Sequence, residues 1–134
     1  KIAEVTEAVG AAPDWPSRHR ALRGRYVRHI CDDPETPVLY AELQLAASRH
    51  PELRRRLRLL FEKHVEAFGR IALGIQGDVP ESFRTVFLAL FAASEGIMLL
   101  KSSGHVSDEA AEKALGIVFD AVTSQLNPPA AARR

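Results

Sequence analysis

The chain has 134 residues, 46% of them apolar and 26% charged, with a formal net charge of +1 at pH 7. That length suits one domain with a single core, and near-neutrality removes any whole-chain electrostatic case for a nucleic acid or a membrane surface. A lone cysteine, Cys31, excludes an intramolecular disulfide framework and, with no signal peptide expected, points to a reducing cytoplasm.

Residues 1–9, KIAEVTEAV, read as the end of a helix with Ile2, Val5 and Val9 on one side and Gly10 just past its terminus. A chain already in helical register at Lys1 is expected to be a piece of a longer protein. The linker AAPDWP follows, with Asp14 as N-cap and Pro16 in the first turn. The spacing predicts a helix over 15–32 in which His19, Leu22, Tyr26, His29 and Ile30 share a face, and Arg18, Arg20, Arg23, Arg25 and Arg28 occupy the rest. Pro34 ends it. Thr36 as cap and Pro37 at the first position predict a helix to about residue 48, with Leu39, Tyr40, Leu43 and Ala47 inward. His50-Pro51 then breaks the chain. The next helix, over 51–75, carries Leu53, Leu57, Leu60, Phe61, Val65, Phe68, Ala72 and Ile75 on one stripe with His64 inside it, and Gly77 closes it.

The stretch 80–104, PESFRTVFLALFAASEGIMLLKSSG, dominates the chain. Asp78 and Glu81 have capping-box spacing, and between residues 83 and 100 only Arg84, Thr85, Ser94 and Glu95 are clearly polar. Apolarity on most sides predicts burial on most sides. The polar interruptions read as leaving it too short and too broken for a membrane span, which needs about 20 mostly apolar residues. Other helices would cover one face and a partner chain another. The expected seam of a homodimer is Phe83, Val86, Leu90, Ile97 and Leu100 here, with Ala114, Val118, Ala121 and Val122 from the last helix. That helix, over 107–126, begins with Ser107 as cap and with Asp108 and Glu109 in its first turn. It carries two adjacent rows: Ala111, Leu115, Val118 and Val122, and Ala114, Ile117 and Ala121. Asn127-Pro128-Pro129 stops it, and 127–134 read as a frayed tail. No segment alternates with period two, so the prediction is all-α, with six helices and short loops.

No motif for catalysis is legible: no Gly-rich phosphate loop, nucleophile elbow or Cys-x-x-Cys. The chain is therefore read as neither an enzyme nor a holder of a cofactor. Cys31 and His29 are two apart, a spacing that does not face on a helix. The five histidines contain no pair at three- or four-residue spacing, and His29 with Asp32 or Asp33 supplies too few ligands for a metal. The run ELRRRLR at 52–58 and the arginines of the 15–32 helix alternate with core positions, so they read as solvated faces. Nucleic-acid contact through them is the weaker alternative.

Polar and aromatic groups on inward stripes remain: Tyr26, His29, Tyr40, His64, Ser94 and Glu95. Each could be a satisfied interior group. Together they could line a mostly apolar pocket walled by Tyr26, Tyr40, Leu43, His64, Phe68, Phe87 and Phe91, with His29 and Glu95 as further ligand contacts. Glu95, a carboxylate within an apolar helix, must be paired, protonated or at an edge.

The segment PVLYAELQLAASRHPELRRRLRLLFEKHVEAFGRI, an aromatic-acidic YAEL helix followed by PELR opening a long amphipathic one, resembles the C-terminal domain of tetracycline-repressor (TetR) family regulators. The helix at 80–104 and SDEAAEKAL at 107–115 look like that family's last two helices. The resemblance implies a four-helix dimer interface from those two helices and a pocket for a small, mostly apolar effector. It implies operator DNA binding only through an N-terminal helix-turn-helix domain that residues 1–9 would link to, and no membrane contact. A helical homodimerisation module without a ligand is the alternative from a different class.

Overall fold

A computed structural model describes residues 14–126 except residue 34; the expected helix at 1–9 and the tail at 127–134 lie outside the described residues. Among the described residues the fold is all-helical, with five helices and no strands. They are α1 (Trp15–Cys31), α2 (Glu35–Ala47), α3 (Pro51–Leu73), α4 (Glu81–Ser102) and α5 (Asp108–Thr123).

The helix ends follow local chemistry. Asp14 accepts the Ser17 amide at 2.8 Å to start α1, and Ser107 accepts the Ala110 amide at 3.1 Å to start α5. Two expected caps differ. Asp33, not Thr36, starts α2: its carboxylate accepts both the amide (3.2 Å) and the hydroxyl (2.7 Å) of Thr36. At α4 the cap position is Pro80, which has no side-chain acceptor, so Asp78 and Glu81 form no capping box. α3 ends at Gly74 rather than Gly77, because Gly74 adopts the left-handed conformation (φ 65°) that closes a helix.

α4 packs against every other described helix. Phe61 of α3 faces Phe87 and Phe91, and Phe68 faces Phe83 and Phe87, so α3 and α4 run antiparallel. Gly69 lets the chain before α4 cross close to α3: a Cβ there would lie 2.7 Å from the Val79 methyls and 3.0 Å from the Phe83 ring. Arg84 clamps the same pair by donating to Glu62 at 2.8 Å and to Glu66. α5 returns antiparallel along α4, placing Leu115 beside Met98 and Phe119 in the cluster with Leu90, all at most 1% exposed. α1 lies across α5, where Arg23 makes a two-pronged bond to Asp120 at 2.9 and 3.0 Å and Val27 joins Met98 and Leu115.

Three expected seam residues belong to the core of a single chain. Phe83 is 2% exposed, Leu90 is 1% exposed, and Val86 is also buried. Their side of α4 faces α1, α3 and α5. Ile97, Val118 and Val122 are half-buried against the two core clusters, and Ala114 is half-buried, whereas Leu100 and Ala121 are exposed. The outward side of α4 is a different stripe, Leu88, Ala89, Ala92, Gly96, Leu99 and Leu100, all exposed. Ala110, Ile117 and Ala121 are exposed on α5.

α4 also corrects the expectation that it is too short to cross a membrane. Its 22 residues, with a mean hydropathy of 1.6 over its most apolar 18, meet that test by length and composition. Of that window 33% is buried inside the bundle, on its Phe83–Leu90–Ser94–Met98 side.

Candidate functional site

The polar side chains expected around one pocket fall into three separate places. Tyr26, Phe68 and Phe87 lie in the core. Tyr26 meets Phe68 edge to face and Phe119 at a tilt, with ring centroids 6.1 and 5.5 Å away. Ser94 donates to the Leu90 carbonyl at 2.8 Å, so its oxygen is free to accept from the Tyr26 hydroxyl, also at 2.8 Å. Burial pushes the Tyr26 hydroxyl up to about 12, against a smaller opposing effect of the Ser94 bond. Tyr26 is thus a satisfied interior donor. The cavity beside Phe68, Phe87 and Phe119 is only about 10 Å³, room for about one water.

A second interior pair was not singled out from sequence. His19 and Thr123, far apart in the chain, meet at 2.6 Å between Nε2 and the hydroxyl. Thr123 donates to the Phe119 carbonyl at 2.6 Å, so the imidazole Nε2 is the donor. Burial lowers the His19 pKa, which favours the neutral ring, with Asp120 opposing more weakly.

His29 and His64 are the second group, and both are exposed. His64 donates from Nδ1 to the Leu60 carbonyl of its own helix at 2.8 Å and turns away from the bundle. Its expected place in a pocket is not what the structure shows, because the inward centre of α3 is Val65, one residue further on and 1% exposed.

Tyr40, Phe91 and Glu95 form the third group, in an open cleft of about 730 Å³ between α2, α3 and α4. The Tyr40 and Phe91 rings meet edge to face with centroids 5.4 Å apart, and Phe61 closes on Phe91 at the same separation. Leu57, Leu88 and Leu99 extend the apolar wall, and Gln44, Arg54 and Arg58 complete the polar part. Leu43 is half-buried in α2 and does not line the cleft. Arg54 donates to the Ala47 and Ser48 carbonyls at 3.3 and 2.9 Å, closing the end of α2. Burial raises the Glu95 carboxyl. Burial likewise raises the Tyr40 hydroxyl, opposed by Gln44 and helped by the Glu95 charge. The cleft can hold an amphipathic molecule: aromatic and aliphatic walls with one carboxylate set into them.

Leu88 and Leu99 were missed because a helix apolar on most sides gives no periodic sign of which leucine faces a groove, whereas Leu57 was read on the inward stripe of α3 without its place in the cleft. Among the described residues no three His, Cys, Asp or Glu side chains gather as a metal site would require. Compared with protein-family models, curated proteins and solved structures, the chain matches none.

Proposed function

We propose that this chain is the effector-binding and dimerisation domain of a transcription regulator of the tetracycline-repressor type. The observation that carries the reading is the two-sidedness of α4. One side is the core of the bundle. The opposite side presents Ala89, Ala92 and Gly96 between exposed leucines, and a Cβ on Gly96 would meet nothing within 4 Å. Small residues at three- and four-residue steps let a second helix approach closely. The resemblance of residues 37–71 to that family supports the same reading.

In this reading two copies meet through the outer faces of α4 and α5, and the cleft between α2, α3 and α4 receives a small, mostly apolar effector. Operator contact lies with a helix-turn-helix segment outside these residues, and the regulator works in the cytoplasm. Effector binding then shifts the balance between two dimer geometries. Light scattering of the chain at micromolar concentration should give a dimer, with an interface on the order of 2,000 Å² or more in total. Footprinting should show protection by a polypeptide that carries the helix-turn-helix and none by these residues alone. A natively folded monomer, or a footprint from these residues alone, refutes the proposal.

The closed core favours a second reading. With a core cavity of only about 10 Å³, the domain could serve association alone. Failure of any amphiphile to bind the cleft of a confirmed dimer would select it.

A further inference from the structure

Glu95 stands apart among the polar groups of the cleft. Gln44 lies beside Tyr40, Arg54 is committed to the carbonyls of Ala47 and Ser48, and Arg58 is exposed. Glu95 is half-buried one helical turn from Phe91, with no hydrogen bond or ion pair among the described residues. Neither arginine is ion-paired with it among the described residues, and burial raises its carboxyl. A carboxylate in a partly dry wall without a counter-ion is unfavourable, and a bound cation relieves that cost. The Tyr40 and Phe91 rings line the same cleft, and aromatic quadrupoles attract cations, which acts in the same direction.

We propose that the cleft takes an amphipathic organic cation, an alkyl or aryl ammonium, whose head sits between Glu95 and the rings of Tyr40 and Phe91 while its apolar part lies along Leu57, Phe61 and Leu99. The inference rests on the effector reading above and adds the charge of the effector. A neutral ligand would cover Glu95 and leave it unpaired, and an anion would be repelled by it. Arg58 offers an anion only a solvent-screened partner, which is worth little.

The test uses decyltrimethylammonium, decanol and decyl sulfate, which share a tail and differ in head-group charge. Each is titrated into the full chain by calorimetry below its micelle-forming concentration, with circular dichroism at the end point to confirm the native fold. The cation is expected to bind about tenfold or more tighter than decanol, with the sulfate weakest. Glu95→Gln, close in shape, should erase the advantage of the cation and leave decanol unchanged, while Arg58→Gln preserves the order. Equal binding of cation and decanol, tightest binding of the sulfate, or a cation advantage that survives Glu95→Gln overturns the charge assignment and leaves the cleft standing as a ligand site. If none of the three binds, the effector reading itself fails and takes the inference with it. The comparison on the unmodified chain decides the head-group preference whether or not a variant folds.

Discussion

Ile117→Glu gives the sharpest test of the outer face of α4 and α5. Ile117 is 68% exposed, the second largest exposure among the large apolar side chains of the described residues, and it points away from the core positions Leu115 and Phe119. Covering a fully exposed isoleucine is worth roughly 1.5–3 kcal/mol, so covering two-thirds of one is worth about 1–2 kcal/mol per copy. A symmetric dimer counts it twice, about 2–4 kcal/mol, or roughly 30- to 1,000-fold in dissociation constant before any charge repulsion is added. Two carboxylates brought to one interface raise the penalty further. The variant should fold normally, since the native side chain makes no core contact, and should sediment at the monomer mass of 14.8 kDa at concentrations where the parent chain is dimeric. Sedimentation velocity over a dilution series, with a urea melt of the monomeric variant as control, measures both. A dissociation constant that stays within about threefold of the parent, a shift of roughly 0.6 kcal/mol, would show that Ile117 is not in the interface and refute the reasoning.

Tyr26→Phe removes the hydroxyl that Ser94 accepts from but leaves the Ser94 bond to Leu90 intact. It should lower unfolding free energy by about 0.5–1.5 kcal/mol in urea melts, and a loss above about 3 kcal/mol would mean that the hydroxyl holds more than this one bond. His19 has its folded pKa depressed below 6.5, so below that pH the unfolded chain binds more protons than the folded one. Stability from this group is fully present above 6.5 and declines as pH falls, a slope that His19→Gln should flatten; an unchanged slope would show that the burial of His19 does not govern it. Glu95 works in the opposite sense: its folded pKa is raised above 4.5, so the folded chain binds more protons just above that pH and stability from this group falls as pH rises. Glu95→Gln should therefore be the more stable form at neutral pH and lose that lead below 4.5, and a destabilised variant at neutral pH would reveal a partner for the carboxylate.

Helix existence was legible because punctuation is local. Pro34, His50-Pro51 and Gly104 each interrupt the periodic pattern, and Ser107 and Asp14 cap as their side chains allow. Facing was legible only where the apolar stripe was narrow. On α3, the positions Leu57, Phe61, Val65, Phe68 and Ala72 define an inward line centred on Val65, and His64 sits about 100° to one side of it on an ideal helix. Counting His64 as inward gave weight to four-residue steps without locating the centre of the stripe. α4 is harder, because leucines and phenylalanines occur all round it. Large apolar residues do not separate its core side from its outer side, so Phe83, Val86 and Leu90 were placed on the wrong one of two plausible sides. The small residues do separate them: Ala89, Ala92 and Gly96 follow one line, and that line is the exposed one. Cap identity failed for a simpler reason. Pro80 occupies the position from which Asp78 would have had to act.

The placement of Glu95 bears on how such a domain could transmit a signal. Around the axis of α4, Ser94 and Met98 face the core, Phe91 and Glu95 face the cleft, and Ala92 and Gly96 face outward. Ala92, Gly96, Leu88 and Leu99 belong at once to the cleft wall and to the exposed stripe. A helix cannot shift on one side and stay fixed on another, because packed interiors yield by discrete rearrangement rather than by continuous deformation. Under the proposed function, a molecule seated against Phe91 and Leu99 therefore pushes on the same rigid element that a second copy grips at Ala92 and Gly96. Coupling then needs no relay through the core: the free energy passes through one helix, and the two ligands of that helix, effector and partner chain, must influence each other equally in return.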